Sequence, residues 1–92
     1  MKGWRGLLML CAALYLLGGC AVYTPRDVKG VEDLINQAAA AGAEKKAPYE
    51  YYSAKEFLSN AKDELGEADD KNAKMFGEKA RAQAEKALQM SK

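Results

Sequence analysis

The side chains that most often carry chemistry in proteins are scarce in this sequence. It contains no histidine, which removes the commonest general base and the commonest metal ligand. Its two cysteines, Cys11 and Cys20, both lie within the first twenty residues. The remaining ionisable groups are mostly lysines and carboxylates on segments that are predicted to be helical, where such groups usually face solvent. We therefore expect this chain not to be an enzyme.

The densest group of carboxylates flanks a predicted turn and comprises Glu67, Asp69 and Asp70. Carboxylates so close together could hold a weak Ca²⁺ site, but the twelve-residue acidic loop of such sites is missing. Helix capping explains Asp69 and Asp70 better, because aspartate is a preferred residue at helix N-termini. We predict no metal site and no dissociable cofactor.

The charge balance bears on the class of partner. The sequence has 14 Lys and Arg against 13 Asp and Glu, a net charge of +1. Nucleic-acid binding requires a clustered excess of basic side chains, and none is present. We predict no nucleic-acid partner.

The N-terminal segment has the pattern of a targeting sequence. Lys2 and Arg5 form a positive start, and residues 6–17 are uncharged and rich in leucine. This run of about 12 residues fits the apolar region of a signal peptide and is shorter than the ~20 that span a bilayer. We predict a helical signal peptide over residues 1–19. A plain secretory signal with an incidental cysteine, or an uncleaved membrane helix, are the alternatives.

The end of this segment, Leu17-Gly18-Gly19-Cys20, resembles the lipobox of bacterial lipoproteins. Two glycines leave the backbone unhindered for a peptidase. The resemblance implies cleavage between Gly19 and Cys20, a diacylglyceryl group on the Cys20 sulfur and an acyl chain on its amine. Such chains would anchor the protein stably in a membrane. Ala21 implies, by the same resemblance, the periplasmic face of the outer membrane.

Removal of 19 residues from 92 would leave a mature chain of 73, without Lys2, Arg5 and Cys11. Its thiol would be used for lipidation, so packing alone must hold the fold. We predict a lipidated tether over residues 20–26 and an all-α domain over residues 27–92. The sequence gives no strand signal, because β-branched residues are few and no stretch alternates with period two.

Three helices are predicted, over about 27–41, 48–65 and 69–90. In each, apolar residues recur every three or four positions. Asp27 is predicted as an N-cap, Gly42 and Gly66 as stops, and residues 43–47 as a charged connection. The connection between the last two helices is so short that residues 48–90 should form an antiparallel hairpin. The apolar positions are Val28, Val31, Leu34, Ile35, Ala38 and Ala41, then Tyr51, Ala54, Leu58, Ala61 and Leu65, then Ala73, Phe76, Ala80, Ala84 and Ala87.

The hairpin resembles a small bacterial lipoprotein domain of unknown function with the pattern A-P-Y-E-Y-x-x-A-x-x-x-L after a lipobox. Residues 47–58 carry this pattern, and the resemblance covers Val31 to Ala87. Some members of that group carry a peptidoglycan-binding domain, which this sequence lacks. The hairpin is also distantly similar to a tetratricopeptide repeat, through Phe57, Ala61, Ala73 and Ala80. Glu64 and Gly77 depart from that repeat, and one hairpin cannot form an array.

An alanine-rich chain of this size buries little area, so we expect the domain to be marginally stable alone. It should self-associate or dock on another envelope protein. Tyr49, Tyr51 and Tyr52 are the candidate contact residues, because tyrosine is enriched at protein interfaces. In the alternative interpretation, Tyr51 belongs to the core and the other two cover the loop. These features favour a non-catalytic interaction or structural module.

A second hypothesis concerns the C-terminus. The chain ends in Ser91-Lys92 after an alanine-rich helix, which is similar to the murein lipoprotein, whose terminal lysine is linked to peptidoglycan. Lys92 would then be a covalent link to the cell wall. Pro48 and the broken heptads argue against the continuous coiled coil of that protein.

Overall fold

The computed structural model describes residues 22–92. The predicted signal peptide, its cleavage site and Cys20 lie outside the described residues. Within 22–92 the chain forms four helices and no strand, which confirms the all-α prediction. No helix in this part of the chain combines the length and apolar character that crossing a membrane requires.

Helix α1, Pro25–Ala40, begins two residues earlier than predicted. Thr24 is its N-cap, and the Asp27 carboxylate accepts hydrogen bonds from the Thr24 N–H (2.8 Å) and hydroxyl (3.0 Å). Asp27 is therefore the third helical residue of a capping-box arrangement, and its prediction as N-cap is wrong. Pro25 suits the first helical position, where its missing N–H costs nothing. Residues 25 and 26 thus belong to the helix and not to a tether.

Helix α1 ends where the sequence predicts. Gly42 has a φ of +89°, in the left-handed region that glycine adopts without strain. Residues 43–47 are not a simple connection, because Ala43–Lys46 forms one helical turn, α2. The Gly42 carbonyl begins this turn by accepting from the N–H groups of Lys45 and Lys46. A helix of four residues is too short for its apolar positions to repeat, so the sequence gives no periodic signal for α2.

Helices α3, Pro48–Gly66, and α4, Asp70–Ser91, are joined by three residues. The N–H of Asp69 bonds to the Glu64 carbonyl (2.8 Å), and that of Ala68 to the Leu65 carbonyl (3.0 Å). This is a Schellman motif, whose left-handed position is occupied by Ala68, with φ +60°. Gly66 is the last residue of α3 and does not make the turn.

The α4 helix begins at the predicted cap. The Asp69 carboxylate accepts from the backbone N–H of Asn72 (3.1 Å) and from its side-chain amide (2.8 Å). The capping interpretation of this aspartate is thereby confirmed. The opposite end of α4 continues through Ser91, and Lys92 is its C-cap.

The core is built mainly from alanine, which lets the helices approach closely but removes little apolar surface from water. Among residues 22–92, nine of the fifteen buried apolar residues are alanines, and Val31 is the largest side chain below 2% exposure. The stripes predicted for α1, α3 and α4 are largely confirmed, with Leu34, Leu65 and Phe76 half-buried at their edges. Helix α4 also buries Gly77 and Ser91, which are not predicted from the periodicity.

Two sets of contacts fix the directions of the helices. An ion pair joins Glu32, in the first half of α1, to Lys62, near the end of α3, and the end of α1 leads through α2 to the start of α3, so α1 and α3 are antiparallel. Tyr23 lies against Gly77, and Lys46 reaches Ser91, so the chain from Tyr23 onward runs along α4 in the same direction. One end of the bundle therefore contains the start of α1, and the other contains α2, the start of α3 and the C-terminus.

Candidate functional site

The three tyrosines near the start of α3 divide into one core residue and two surface residues. Tyr51 is 9% exposed, because it falls on the same helix stripe as Ala54 and Leu58. Tyr49 is 74% exposed and Tyr52 is 49% exposed. Three tyrosines are predicted to contact a partner. Tyr51 instead belongs to the core, as the alternative interpretation expects, whereas Tyr49 and Tyr52 are exposed at the surface.

Tyr52 is held in place although it is exposed. Its hydroxyl donates a hydrogen bond to the Glu44 carboxylate of α2, at 2.9 Å. This bond raises the pKa of the Tyr52 hydroxyl, because loss of the proton would place a second negative charge beside Glu44. The ring also meets Tyr51 edge-to-face at 5.1 Å, and the Lys55 ammonium lies 5.9 Å from its centre. The orientation of the Tyr52 ring is thus set by contacts within the domain.

An open groove of about 420 Å³ lies beside these tyrosines. We call it the tyrosine groove, and its lining residues are Pro48, Tyr49, Tyr52, Ser53, Glu56 and Phe57. One of these lining residues, Phe57, contacts α4. Its ring stacks on Phe76 at 6.5 Å, and the Lys79 ammonium lies 5.7 Å from the Phe57 ring centre. The groove therefore combines apolar area with a few polar groups at its rim.

The C-terminus lies at the same end of the bundle. Ser91 is buried, and its hydroxyl donates to the Ala87 carbonyl at 2.7 Å. The Lys46 ammonium of α2 donates to the Ser91 carbonyl at 3.1 Å, which places a positive charge at the negative end of the α4 dipole. The final turn is therefore tied to α2. Lys92, the predicted link to peptidoglycan, follows it and is exposed.

A second region of interest lies at the start of the folded domain. Tyr23 precedes α1 and is buried, although the sequence places it in a predicted tether. Its ring covers Gly77 of α4 so closely that a Cβ at Gly77 would overlap it. The Tyr23 hydroxyl is buried without a hydrogen-bond partner among the described residues. Burial, with Asp27 nearby, raises the pKa of this hydroxyl. No local sequence pattern identifies this contact, because its two members are 54 positions apart.

The carboxylates of the α3–α4 turn serve the turn itself. Asp69 caps α4, as described above. Partial burial and the neighbouring carboxylates of Glu67, Asp69 and Asp63 raise the pKa of Glu64. Across residues 22–92, acidic and cysteine side chains do not gather into any group of three or more that could hold a metal ion. The predicted lipidation residue, Cys20, and the cleavage position at Gly19 precede the described chain.

Comparison with known proteins places this domain in a family. No match was found among curated proteins, and none among solved structures. The family described as "Domain of unknown function (DUF4398)" matches residues 29–92, which is more than two thirds of the chain. That range contains the A-P-Y-E-Y segment and the whole hairpin, and it confirms the expectation of a small domain of unknown function. The chain therefore belongs to the family of proteins that carry the DUF4398 domain.

Proposed function

We propose that this protein is a bacterial envelope lipoprotein, anchored by acyl chains on Cys20 and acting as a non-catalytic helical interaction module on the periplasmic side of the outer membrane. The anchoring half of the proposal is supported by the sequence. A positive start, an apolar run of signal-peptide length and Leu17-Gly18-Gly19-Cys20 coincide at the spacing of a lipobox. Ala21 supports the outer membrane.

Mass spectrometry of the protein purified from bacterial membranes tests the anchor directly. The expected product begins at Cys20 and carries a diacylglyceryl group and an acyl chain. A Cys20→Ser variant is the matched control, and we expect it to keep its leader and lose the lipid. An unmodified Cys20 thiol in the wild-type protein, or a leader still attached, would refute the anchoring proposal.

The non-catalytic half is supported by the composition and by the use of the polar groups. The sequence has no histidine, and lipidation would consume the one thiol of the mature chain. Several of its carboxylates serve the fold, since Asp27 completes the capping box of α1, Asp69 caps α4 and Glu32 pairs with Lys62. General acid–base or nucleophilic catalysis needs a side chain whose pKa is tuned for that role. The groups named above are used for lipidation or for the fold instead.

One observation carries the interaction role, namely the exposed aromatic surface of the tyrosine groove. Interfaces are enriched in tyrosine, and their energetic centres are large side chains that lose little freedom on binding. Tyr52 is fixed by Glu44 and packs on Tyr51, so its ordering cost is already met. The alanine core adds a reason for a partner, because burying the groove would supply apolar area that the domain lacks.

In-cell photo-crosslinking tests this role. A photoreactive amino acid replaces Tyr49 at the groove, and in a matched control it replaces Ala82, which is exposed on α4. We expect a discrete adduct from position 49, its loss in a Tyr52→Ala background, and no such adduct from position 82. An adduct of twice the protein mass would identify a second copy as the partner, and a larger one another envelope protein. Equal labelling from both positions would contradict the proposal.

A second candidate function is favoured by the exposed Lys92 at the end of a tied helix. In this proposal the domain links the outer membrane to peptidoglycan through the Lys92 amine, as in the murein lipoprotein. Deletion of Lys92, or a Lys92→Arg control that keeps the charge, should abolish muropeptide-linked protein. If the wild-type protein is never linked to the wall, this function is refuted. The likeness of the hairpin to a tetratricopeptide repeat supports the interaction role instead.

A further inference from the structure

The first ordered contact of the domain lies close to the proposed anchor. Tyr23 is buried against Gly77, whereas the neighbouring Val22 is 59% exposed. The chain therefore leaves the bundle at Tyr23. Three backbone steps separate Tyr23 from Cys20, and each spans at most about 3.6 Å, so their Cα atoms lie within ~11 Å of each other. This bound holds for any conformation of the intervening residues.

The opposite end of the bundle is far from this point. Gly77 and Ser91 are separated by 14 positions along one continuous helix, α4. At 1.5 Å per residue, this is about 21 Å. Lys46 contacts Ser91 and precedes Pro48 by two positions, so the Pro48 end of the tyrosine groove lies at the Ser91 end. Tyr49 and Lys92 therefore lie toward the Ser91 end, whereas the groove extends along α3 to Phe57, which stacks on Phe76 beside Gly77.

We propose that the surface around Tyr23 faces the lipid bilayer, and that the Tyr23–Gly77 contact holds Tyr49 and Lys92 on the side of the domain away from it. The lipid surface is thus the partner of the α1 end, and this inference rests on the proposed lipid anchor at Cys20. Acyl chains inserted in the bilayer leave only two residues, Ala21 and Val22, between Cys20 and a buried side chain. A domain fastened in this way is positioned by packing, and not by a long free linker.

The charges at the start of α1 favour this orientation. The N-terminus of α1 carries the positive end of its helix dipole, and Arg26 is exposed in its first turn. Both suit anionic headgroups. The walls beside Tyr23 are balanced, with Lys74 and Arg81 against Asp27 and Glu78. The acidic α3–α4 turn lies at this same end of the bundle, about 10 Å beyond Gly77, so we expect the bundle to tilt with α1 toward the bilayer and the turn away from it.

Energy transfer to the membrane measures this orientation on the full lipidated protein. Single-cysteine variants Arg26→Cys and Gln89→Cys accept one donor dye each, because the lipidated chain has no other thiol. The proteins are placed in phosphatidylethanolamine–phosphatidylglycerol vesicles whose headgroups carry an acceptor. Since the two positions differ by up to about 15 Å in height, we expect at least roughly twofold greater transfer from position 26.

Two further variants separate the contact from the anchor. A flexible Gly-Ser insertion between Ala21 and Val22 leaves the Tyr23 contact intact but lengthens the tether, and it should abolish the difference between positions 26 and 89 without changing the thermal melt. Tyr23→Ser should abolish the difference with a normal tether, and circular dichroism confirms that the helices remain. Equal transfer from the two positions in the wild-type protein, in a sample that floats with the vesicles, overturns the orientation alone. A protein that does not float with vesicles overturns the lipid anchor as well.

Discussion

The turn between α3 and α4 uses an alanine where the backbone favours glycine. Ala68 has a φ of +60° at the left-handed position of a Schellman motif, and the neighbouring hydrogen bonds fix it there. Its Cβ is crowded by the adjacent carbonyl in that conformation, at a cost of about 1–2 kcal/mol. Replacing it with glycine removes the strain but frees the unfolded chain, which costs about 0.4–1 kcal/mol. We therefore expect Ala68→Gly to raise the free energy of unfolding by about 0.5–1 kcal/mol.

For a domain of this size, that increase corresponds to a rise in melting temperature of about 3–6 °C. Far-ultraviolet circular dichroism of the protein in detergent follows the melt, and the loss of helical signal reports the whole domain. The turn is exposed and distant from the tyrosine groove, so crosslinking from position 49 should not change.

The matched control is Ala82→Gly, in the exposed middle of α4. There the same substitution removes a favourable helix former, and we expect a loss of about 1 kcal/mol. The two variants differ only in the backbone conformation of the substituted residue. If Ala68→Gly destabilises the domain as Ala82→Gly does, Ala68 is not held in the left-handed region and the Schellman assignment is wrong.

Three other perturbations have expected signs, each readable from the same melts. Gly77→Ala should lower the free energy of unfolding by about 1–2 kcal/mol, because the added Cβ displaces the Tyr23 ring. Gly66→Ala, with open space around its Cβ position, should raise it by about 0.5–1 kcal/mol. If both substitutions changed stability in the same direction, the packing of Tyr23 on Gly77 would be contradicted. Asp69→Ala should cost about 1 kcal/mol by removing the α4 cap, with Asp69→Asn as the retained-cap control. The pKa of Glu64 is raised in the folded state, so its charge opposes folding above that pKa, and this cost disappears as the pH falls below it. Glu64→Gln should therefore be more stable than wild type at neutral pH, and the advantage should vanish in acid; an advantage that grows in acid would reverse the assigned shift.

The long helices could be predicted from the sequence because their signals are local and repeated. Pro48 marks the start of α3, and its apolar stripe continues at helical spacing through Leu58 to Leu65. Asp69 could be identified as a cap because it stands just before the apolar stripe of α4. The start of α1 also had a signal, since Thr24-Pro25 with Asp27 three residues after the threonine has the spacing of a capping box. The prediction of a tether over residues 20–26 did not use this capping-box signal.

The positions of the remaining features depend on the tertiary structure. The turn after α3 could be expected near Gly66, but Gly66 is still helical, and the left-handed residue is Ala68, two positions later. The exposure of Tyr49 and Tyr52 could be proposed from their flanking positions, and the burial of Tyr51 follows from its stripe. The contact of Tyr23 with Gly77 could not be predicted, since the two residues are 54 positions apart and no local sequence pattern links them.

The position of Tyr23 also affects how the family domain should be isolated. The family match begins at residue 29, six residues after this tyrosine and inside α1. A fragment cut at that boundary would lose the Thr24 cap, the first turn of the helix and the ring that covers Gly77, leaving a hollow on α4 open to water. We expect such a fragment to expose apolar surface and aggregate, so the autonomous folding unit begins upstream of the region that defines the family.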